Sequence, residues 1–516
     1  MDANITDVTI VGGGDSGLLA GLSLRRTNPE LDVRIVDDFE RDIPQVGKST
    51  YHKITDILHE FLGIDEERFM SEVKPVWKGS VYFRDWCGRG PFHFPFDNAA
   101  KFPEDHTPRA LEHEYHYYET LYDSPDHRSK GEEIVEQRAS PMYYAPESGT
   151  YRKYRHVAYH LNTERFNSFL RDLCRERDVS LVDDEITDVA ATGDRIERVE
   201  SDTATYESDL YVDASGFNRV LKRAVDDGFR EFDLPLDSAF NTRVDRPLSE
   251  VVPATVIESG EHGWFWEIDT FDNRDFGYVF STEHVSDDEA RAAFLDHVGG
   301  SATVEDVGSV TAEDVAKYEF TSGFYEDCWT GNCLAIGNAE GFVEPLQSTG
   351  LTTNAWAAMT LADHISAHGG VNDRAAREAY NAWVRRIWES IHDFVSVHYL
   401  FAEGEGAFWD AAGSIEATPR VKRLVEAFDD RGFSTAVDPL EGTGMEDLLA
   451  FTPLNFYVML RNLGVESAFY EIHDFEVSSE VKDAADAFYE SVREEVEDHL
   501  TTEEVYRGIP DLASAD

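Results

Sequence analysis

Four groups of residues in this chain have the types and spacing to do chemistry. The first is the glycine run Gly12-Gly13-Gly14-Asp15-Ser16-Gly17, which carries the spacing G-x-G-x-x-G at Gly12, Gly14 and Gly17, with Asp37 further on. Glycines so spaced permit a tight turn and let a pyrophosphate approach the backbone, while an acid about 20 residues later can accept hydrogen bonds from an adenosine ribose. The second is the stretch Glu344 to Leu351, in which Ser348-Thr349-Gly350 precede a helical pattern. A helix entered there offers unpaired backbone N–H groups and the positive end of a helix dipole, which suit a negative or electron-rich ligand. An ordinary capped helix start would have the same residues. The third is Lys78, near the start of the aromatic run Val76 to Trp86; it either snorkels to the surface or stands in a cavity for chemistry. The fourth is Trp264 and Trp266, two residues apart and so on one face of a strand, where core packing is the plain reading.

Regular elements must hold these groups. Val8 to Val11 reads as a strand, Leu18 to Leu24 as the helix after it, and Val33 to Val36 as a second strand, so the glycines open a βαβ unit. The small-residue loop Gln45 to Thr50, with Lys48 and Ser49, leads into a helix from Ile54 to Leu62 and either passes a cofactor or merely connects. Val76 to Trp86 reads as one strand, and residues 88–154 as a long excursion over a ligand site. Arg155 to Arg171 reads as helix, and Val179 to Val182 with Ile186 to Val189 as a meander. Asp209 to Gly216 is a buried strand closing on a glycine turn, a second place where a cofactor could approach. Residues 237–315 alternate as antiparallel strands, and an apolar run, Leu334 to Ile336, stops at Gly337-Asn338. Beyond Leu351 the pattern is helical, including Ala376 to Tyr399 and an acidic last helix, Ser478 to Thr501, expected to be a solvated face.

Composition narrows the partners. Of 516 residues 41% are hydrophobic, enough for two or more closely packed units. The 102 acidic residues against 46 basic ones give a formal charge of −56, spread over the whole chain. Nucleic acid and anionic membranes need a basic footprint and are excluded as partners. Such a surface suits a high-salt cytoplasm, where charges are screened over about 3 Å at molar ionic strength; a generic acidic mesophile protein is the rival reading. Cys87, Cys174, Cys328 and Cys333 form neither a disulfide framework nor a zinc pair, and no metal signature is present. With no leader pattern and no long apolar run, a soluble cytoplasmic protein is expected.

Taken in order, these stretches resemble the flavin-dependent halogenases, in particular the tryptophan-halogenase group. The likeness runs through the glycine motif, Val46 to Thr50, Lys78, Asp213 to Phe217, Gly263-Trp264-Phe265-Trp266-Glu267-Ile268, Gly277 to Val279, Gly337 to Ala339, Phe342 to Gly350, Asp393 to Tyr399 and Phe408-Trp409. It covers the first 410 residues or so. The resemblance implies an α/β (α+β) fold of the aromatic-hydroxylase and halogenase type, with an antiparallel substrate sheet and a helical C-terminal part. It implies an FAD-binding domain at 1–87, 155–235 and 316–370, and a substrate-binding part at 88–154, 236–315 and 371–516. FAD would lie on Gly12, Gly14, Ser16, Gly17, Asp37, Lys48, Ser49, Gly337, Asn338 and Leu351. Chloride or bromide would sit at Thr349 and Gly350, and Lys78 would hold the electrophilic halogen delivered as hypohalous acid. Trp264 and Trp266 would form the barrier between flavin and substrate. A separate flavin reductase is implied as partner, an aromatic small molecule as substrate, and a homodimer is an assembly the resemblance allows.

Two positions depart from that pattern. Gln347 stands where tryptophan-specific members have a catalytic glutamate, and Asp269 where the W-x-W-x-I-P signature closes on proline. A glutamine takes up no proton, so the expected substrate is an activated ring such as a phenol or pyrrole. A monooxygenase on the same fold that uses no halide is the alternative, and a flavin-binding partner without activity a third reading.

Overall fold

The computed structural model describes residues 3–41, 46–99, 124–300, 310–432, 450–469 and 478–512. The chain divides into two compact units: one of Met1–Lys74, Leu161–Asp233 and Phe320–His392, the other of Pro75–His160, Leu234–Glu319 and Asp393–Asp516.

The first unit is built on a six-stranded sheet in the order Ser180–Asp183, Asp32–Asp37, Asp7–Val11, Leu210–Asp213, Cys333–Ala335 and Trp329–Thr330. All neighbours are parallel except the last pair. Parallel strands are covered on both faces, and Val8 to Val11 is accordingly a buried β-branched run, Thr9 included. The helix Asp15–Thr27 follows the first strand and packs on the helix Gly350–Ala367. Asn28, at its C-terminal end, ties the two by donating to the Ala362 carbonyl at 2.9 Å.

The second unit is built on a seven-stranded sheet in the order Ala316–Glu319, Ser238–Asp245, Asn273–Phe280, Gly263–Asp269, Ala254–Gly260, Ser80–Asp85 and Phe92–Pro95. Only Ala254–Gly260 and Ser80–Asp85 run parallel. The helix Asp287–Gly300 covers part of this sheet with Phe294 and Val298, which join Phe240, Phe276 and Phe280 in one apolar cluster.

Several elements differ from those expected. The run Val76 to Trp86 is two strands, Val76–Lys78 and Ser80–Asp85, in different sheets. The break falls at Gly79, whose N–H donates to the Pro253 carbonyl at 2.8 Å and where a methyl would meet the Gly131 carbonyl oxygen at 2.7 Å. Residues 155–171 are not one helix: the strand Ala158–Leu161 comes first, and Asn162 caps the helix Thr163–Glu176 by accepting from the Arg165 N–H at 3.1 Å. The pieces of the supposed meander belong to separate sheets, Ser180–Asp183 to the parallel one and Ile186–Thr192 to a small antiparallel one. The excursion of 88–154 holds the strands Phe92–Pro95, Ala139–Ala145 and Thr150–Lys153 and the helix Lys130–Glu136; its residues 100–123 lie outside the described residues, as does Gln45 of the small-residue loop. The helix from Ile54 starts at Lys53 and continues as a π-helical turn, Asp56–Phe61. The last acidic helix, Ser479–Glu497, buries Val481, Phe488, Val492 and Val496, and the chain then adds the strand His499–Thr501 and a further helix, Thr502–Leu512.

Candidate active site

In the first unit the glycine motif sits between the first parallel strand and its helix. Gly12 has φ of 112°, and a methyl on it would lie 2.3 Å from the Ala214 carbonyl oxygen, so the turn closes against the end of the neighbouring strand. Gly17 packs as tightly on Gly12 itself. Gly14 differs: a methyl there would meet nothing within 4 Å, so open space faces the helix start. Asp37, half-buried at the end of its strand, accepts the Gly13 N–H at 2.7 Å. Burial raises its pKa against the opposing hydrogen bond from Gly13.

Three distant segments meet at Ser16. Its hydroxyl accepts from the Asn354 amide at 3.1 Å, and Gly337, at φ of 70°, comes so near that a methyl would lie 2.4 Å from the Ser16 oxygen. Lys48 reaches the same helix start, its Nζ 2.8 Å from the Asp15 carboxylate. Burial opposes charge on Asp15, but the Lys48 ammonium and several hydrogen bonds outweigh it and hold the carboxyl below its ordinary value. Ser49 is half-buried beside Lys48, and Asn338 lies half-buried on the 3-10 turn Gly337–Ala339.

The loop from Glu344 forms a 3-10 turn, Pro345–Gln347, after which Ser348 takes φ of 56° and the helix Gly350–Ala367 begins. Thr349 is its N-cap and makes no side-chain capping bond, while a methyl on Gly350 would meet no atom within 4 Å. Open space therefore stands before this helix start as well. Gln347, Ser348, Thr349 and Leu351 are all buried. With open, glycine-lined space at two helix N-termini, an acid at the end of the second strand and Ser16 held by Asn354, the residues of this unit fit a dinucleotide such as FAD.

In the second unit Lys78 ends its strand, opposite Ala158, and is fully buried. Its Nζ lies 5.2 Å from the centre of the Phe96 ring. Burial pushes the lysine well below its usual range and favours the neutral, nucleophilic amine. Trp264 and Trp266 share a face, with ring centres 5.9 Å apart. The Trp264 indole donates to the Tyr399 hydroxyl at 3.1 Å. The Trp266 indole N–H has no hydrogen-bond partner among the described residues.

Sequence reasoning noted Asp269 only as a departure from the signature and missed the polar network around it. Asp269 is gripped by Arg274 through two bonds of 2.7 Å and lies 3.0 Å from Arg246 Nε. Arg274 also reaches Glu267 at 3.1 Å, and all four side chains are buried. The buried His160 bridges Asp269 and Thr255. Charges spaced at Arg246, Glu267, Asp269 and Arg274 carry no local signal, because only the sheet register brings them together. Among the described residues no cluster of His, Cys, Asp and Glu could hold a metal ion, and no helix is long and apolar enough to cross a membrane.

A family model described as tryptophan halogenase matches residues 7–470. Tryptophan 6-halogenase SttH of Streptomyces toxytricini is 28% identical over 436 residues, covering 79% of this chain and 80% of its own. Tryptophan 7-halogenase RebH of Lentzea aerocolonigenes is 25% identical over 460 residues, covering 83% and 82%. Among solved structures, MibH, a tryptophan 5-halogenase, superimposes with a TM-score of 0.82 at 24% identity over 99% of this chain and 94% of its own. BrvH, a flavin-dependent halogenase from Brevundimonas sp. BAL3, gives 0.81 at 22% over 98% and 99%.

Proposed function

The chain belongs to the tryptophan halogenase family, and from that premise we propose that it uses reduced FAD, O2 and chloride or bromide to halogenate an electron-rich aromatic ring, with Lys78 presenting the electrophilic halogen. The observation that carries this reading is the fully buried Lys78, its Nζ 5.2 Å from the centre of the Phe96 ring, in surroundings that disfavour its charged form. An ammonium has no lone pair; a neutral amine can take a halogen.

When bound, reduced FAD with O2 supplies the oxidising equivalent that turns halide into hypohalous acid. Gly12 and Gly17 close the turn, Gly14 would let the cofactor approach the backbone, Asp37 would accept from its ribose, and Ser16, Lys48, Ser49, Gly337, Asn338 and Leu351 would complete the cradle. The N–H groups of Thr349 and Gly350 hold the halide. Lys78 takes up or hydrogen-bonds the electrophilic halogen, and the Trp264/Trp266 pair walls the path. Gln347 offers a hydrogen bond but no base, so the ring itself must be activated: phenols and pyrroles suit this chain better than free tryptophan. A separate flavin reductase supplies the reduced cofactor, the molecule works as a soluble cytoplasmic enzyme, alone or as a homodimer, and the acidic surface fits a high-salt interior.

The test is mass spectrometry after incubation with FAD, a flavin reductase, NADH, bromide and a panel of indoles, phenols and pyrroles in high salt. Products with bromine isotopes are expected, and a Lys78→Ala variant should lose at least about 100-fold in product while still binding FAD. A variant that brominates at the wild-type rate sinks the role of Lys78.

A further inference from the structure

The strand pair that carries Lys78 also carries a histidine no motif singles out. Val76–Lys78 runs antiparallel to Ala158–Leu161, with Ala158 opposite Lys78 and His160 opposite Val76. Because faces alternate along a strand, Lys78 and His160 are diagonal neighbours on one face, within reach of a long side chain. Both are fully buried.

His160 is fixed at both ring nitrogens. Nδ1 lies 3.0 Å from the Asp269 carbonyl oxygen and Nε2 3.0 Å from the Thr255 hydroxyl. A carbonyl only accepts, so Nδ1 carries the hydrogen, and in the neutral ring Nε2 accepts from Thr255. Burial, then the nearby Lys78, push the histidine pKa down to about 3, so the ring stays neutral. Its anchor is itself immobile: Asp269 is held by Arg274 and Arg246 and accepts the Val252 N–H at 2.7 Å. The carbonyl that holds His160 is a backbone one; what the Asp269 side chain adds, where the family pattern closes on proline, is the grip of Arg274, Arg246 and the Val252 N–H on that residue.

We propose that His160 is a positioning residue for Lys78: clamped through Asp269 and Thr255, its neutral ring fixes where the lysine nitrogen meets the electrophilic halogen. The inference rests on Lys78 as the halogen carrier. In that step the amine lone pair attacks the halogen of hypohalous acid; the N–X bond forms, the O–X bond breaks, and the amine proton leaves with the hydroxide as water. Transfer to the ring forms C–X and breaks N–X, and the proton lost from the ring restores the amine. Neither half asks His160 to move a proton. A lysine on four rotatable carbons has no preferred shape of its own, so a rigid neighbour decides whether the halogen is captured or escapes.

The test compares wild type, Lys78→Ala, His160→Phe, His160→Asn and Thr255→Val, each with FAD, a flavin reductase, NADH, bromide and the ring panel. Brominated product per O2 consumed is read together with FAD binding and thermal melting. His160→Phe should bind FAD and consume O2 as wild type does, yet fall about tenfold or more in product per O2, with hypobromous acid appearing in an added thiol trap. His160→Asn, which keeps an N–H for the Asp269 carbonyl, should recover part of that loss, and Thr255→Val should show a smaller one. A purely structural role would lower the folded fraction but leave product per O2 unchanged in what remains. A readout independent of activity is the imidazole 1H–15N spectrum, in which His160 should keep its neutral Nδ1–H signature between roughly pH 5 and 8. Wild type that brominates no ring, or Lys78→Ala that couples normally, overturns the halogen-carrier reading. Wild type active, Lys78→Ala inactive and Thr255→Val coupled like wild type, together with any folded His160 variant, overturns the positioning role alone.

Discussion

Gln347 ends the turn Pro345–Gln347 and is buried one residue before Ser348 swings to positive φ. An aromatic substitution must shed a ring proton, and a general base at that point is worth about 100-fold or more when it is well placed. The turn geometry is already that of a buried side chain ahead of a helix start, so Gln347→Glu supplies a carboxyl without moving the backbone. Bromination at a weakly activated position, such as the benzo ring of an indole, should rise about tenfold or more, while a phenol gains little; equal gains on both rings would remove the base argument. Glu340, three residues after Gly337, is a second buried polar group. It accepts the Trp388 indole N–H at 2.6 Å, and burial raises its pKa to about 8. The sign follows from that direction: between the unfolded value, near 4.3, and about 8, the folded chain holds a proton that the unfolded chain has lost, so stability falls as pH rises through this window. Glu340→Gln keeps an acceptor for Trp388 and removes the titration. Its melting temperature should match the parent at about pH 4 and exceed it increasingly towards pH 8, by up to about 4 kcal/mol in stability. Parallel melting curves across that range would show that the carboxyl does not titrate late.

At the scale of elements, what could be read from the chain was what is local. The βαβ unit at Val8 to Asp37 declares itself by β-branched strands around glycines, and Trp264 and Trp266 share a face because strand period is two. The contact of Asn354 with Ser16 joins residues far apart in sequence and leaves no periodic trace. The end of the Lys78 strand was equally hidden, since Gly79 breaks the run for a reason located at Pro253 and Gly131. Residues 155–161 looked helical because their charges and apolar residues fit either period, and pairing with Val76–Lys78 decided for strand. One sequence feature gained meaning only from register: Gly277 lies opposite Trp266, and a methyl there would fall 1.9 Å from the indole ring. The glycine is the slot into which the tryptophan lies. Gly277→Ala should cost about 1–3 kcal/mol by overpacking and shift the tryptophan fluorescence as Trp266 is displaced. An unchanged melting temperature and spectrum would mean the sheet yields at no cost.

For the whole molecule the dominant fact is charge, and it acts differently on the surface and inside. The buried ion pairs around Asp269 are shielded from salt, because their partners are fixed and water is excluded. Carboxylates outnumber cations so heavily that most cannot be paired: the chain has 102 acidic residues against 46 basic ones, a formal excess of 56 negative charges, and those at the surface repel one another. Self-repulsion favours the expanded chain, so it should be the term that salt relieves. Raising KCl from about 0.1 M to about 1 M shortens the screening length from about 10 Å to about 3 Å. The melting temperature should therefore climb steeply over that range. A concentrated solute that is excluded from protein surfaces strengthens apolar burial, so the discriminating comparison is with sucrose, which is excluded but screens nothing. A rise in KCl with little rise in sucrose assigns the effect to charge. Equal rises in both would mean that burial, not the acidic surface, sets the salt response, and the case for a high-salt interior would lose its physical basis.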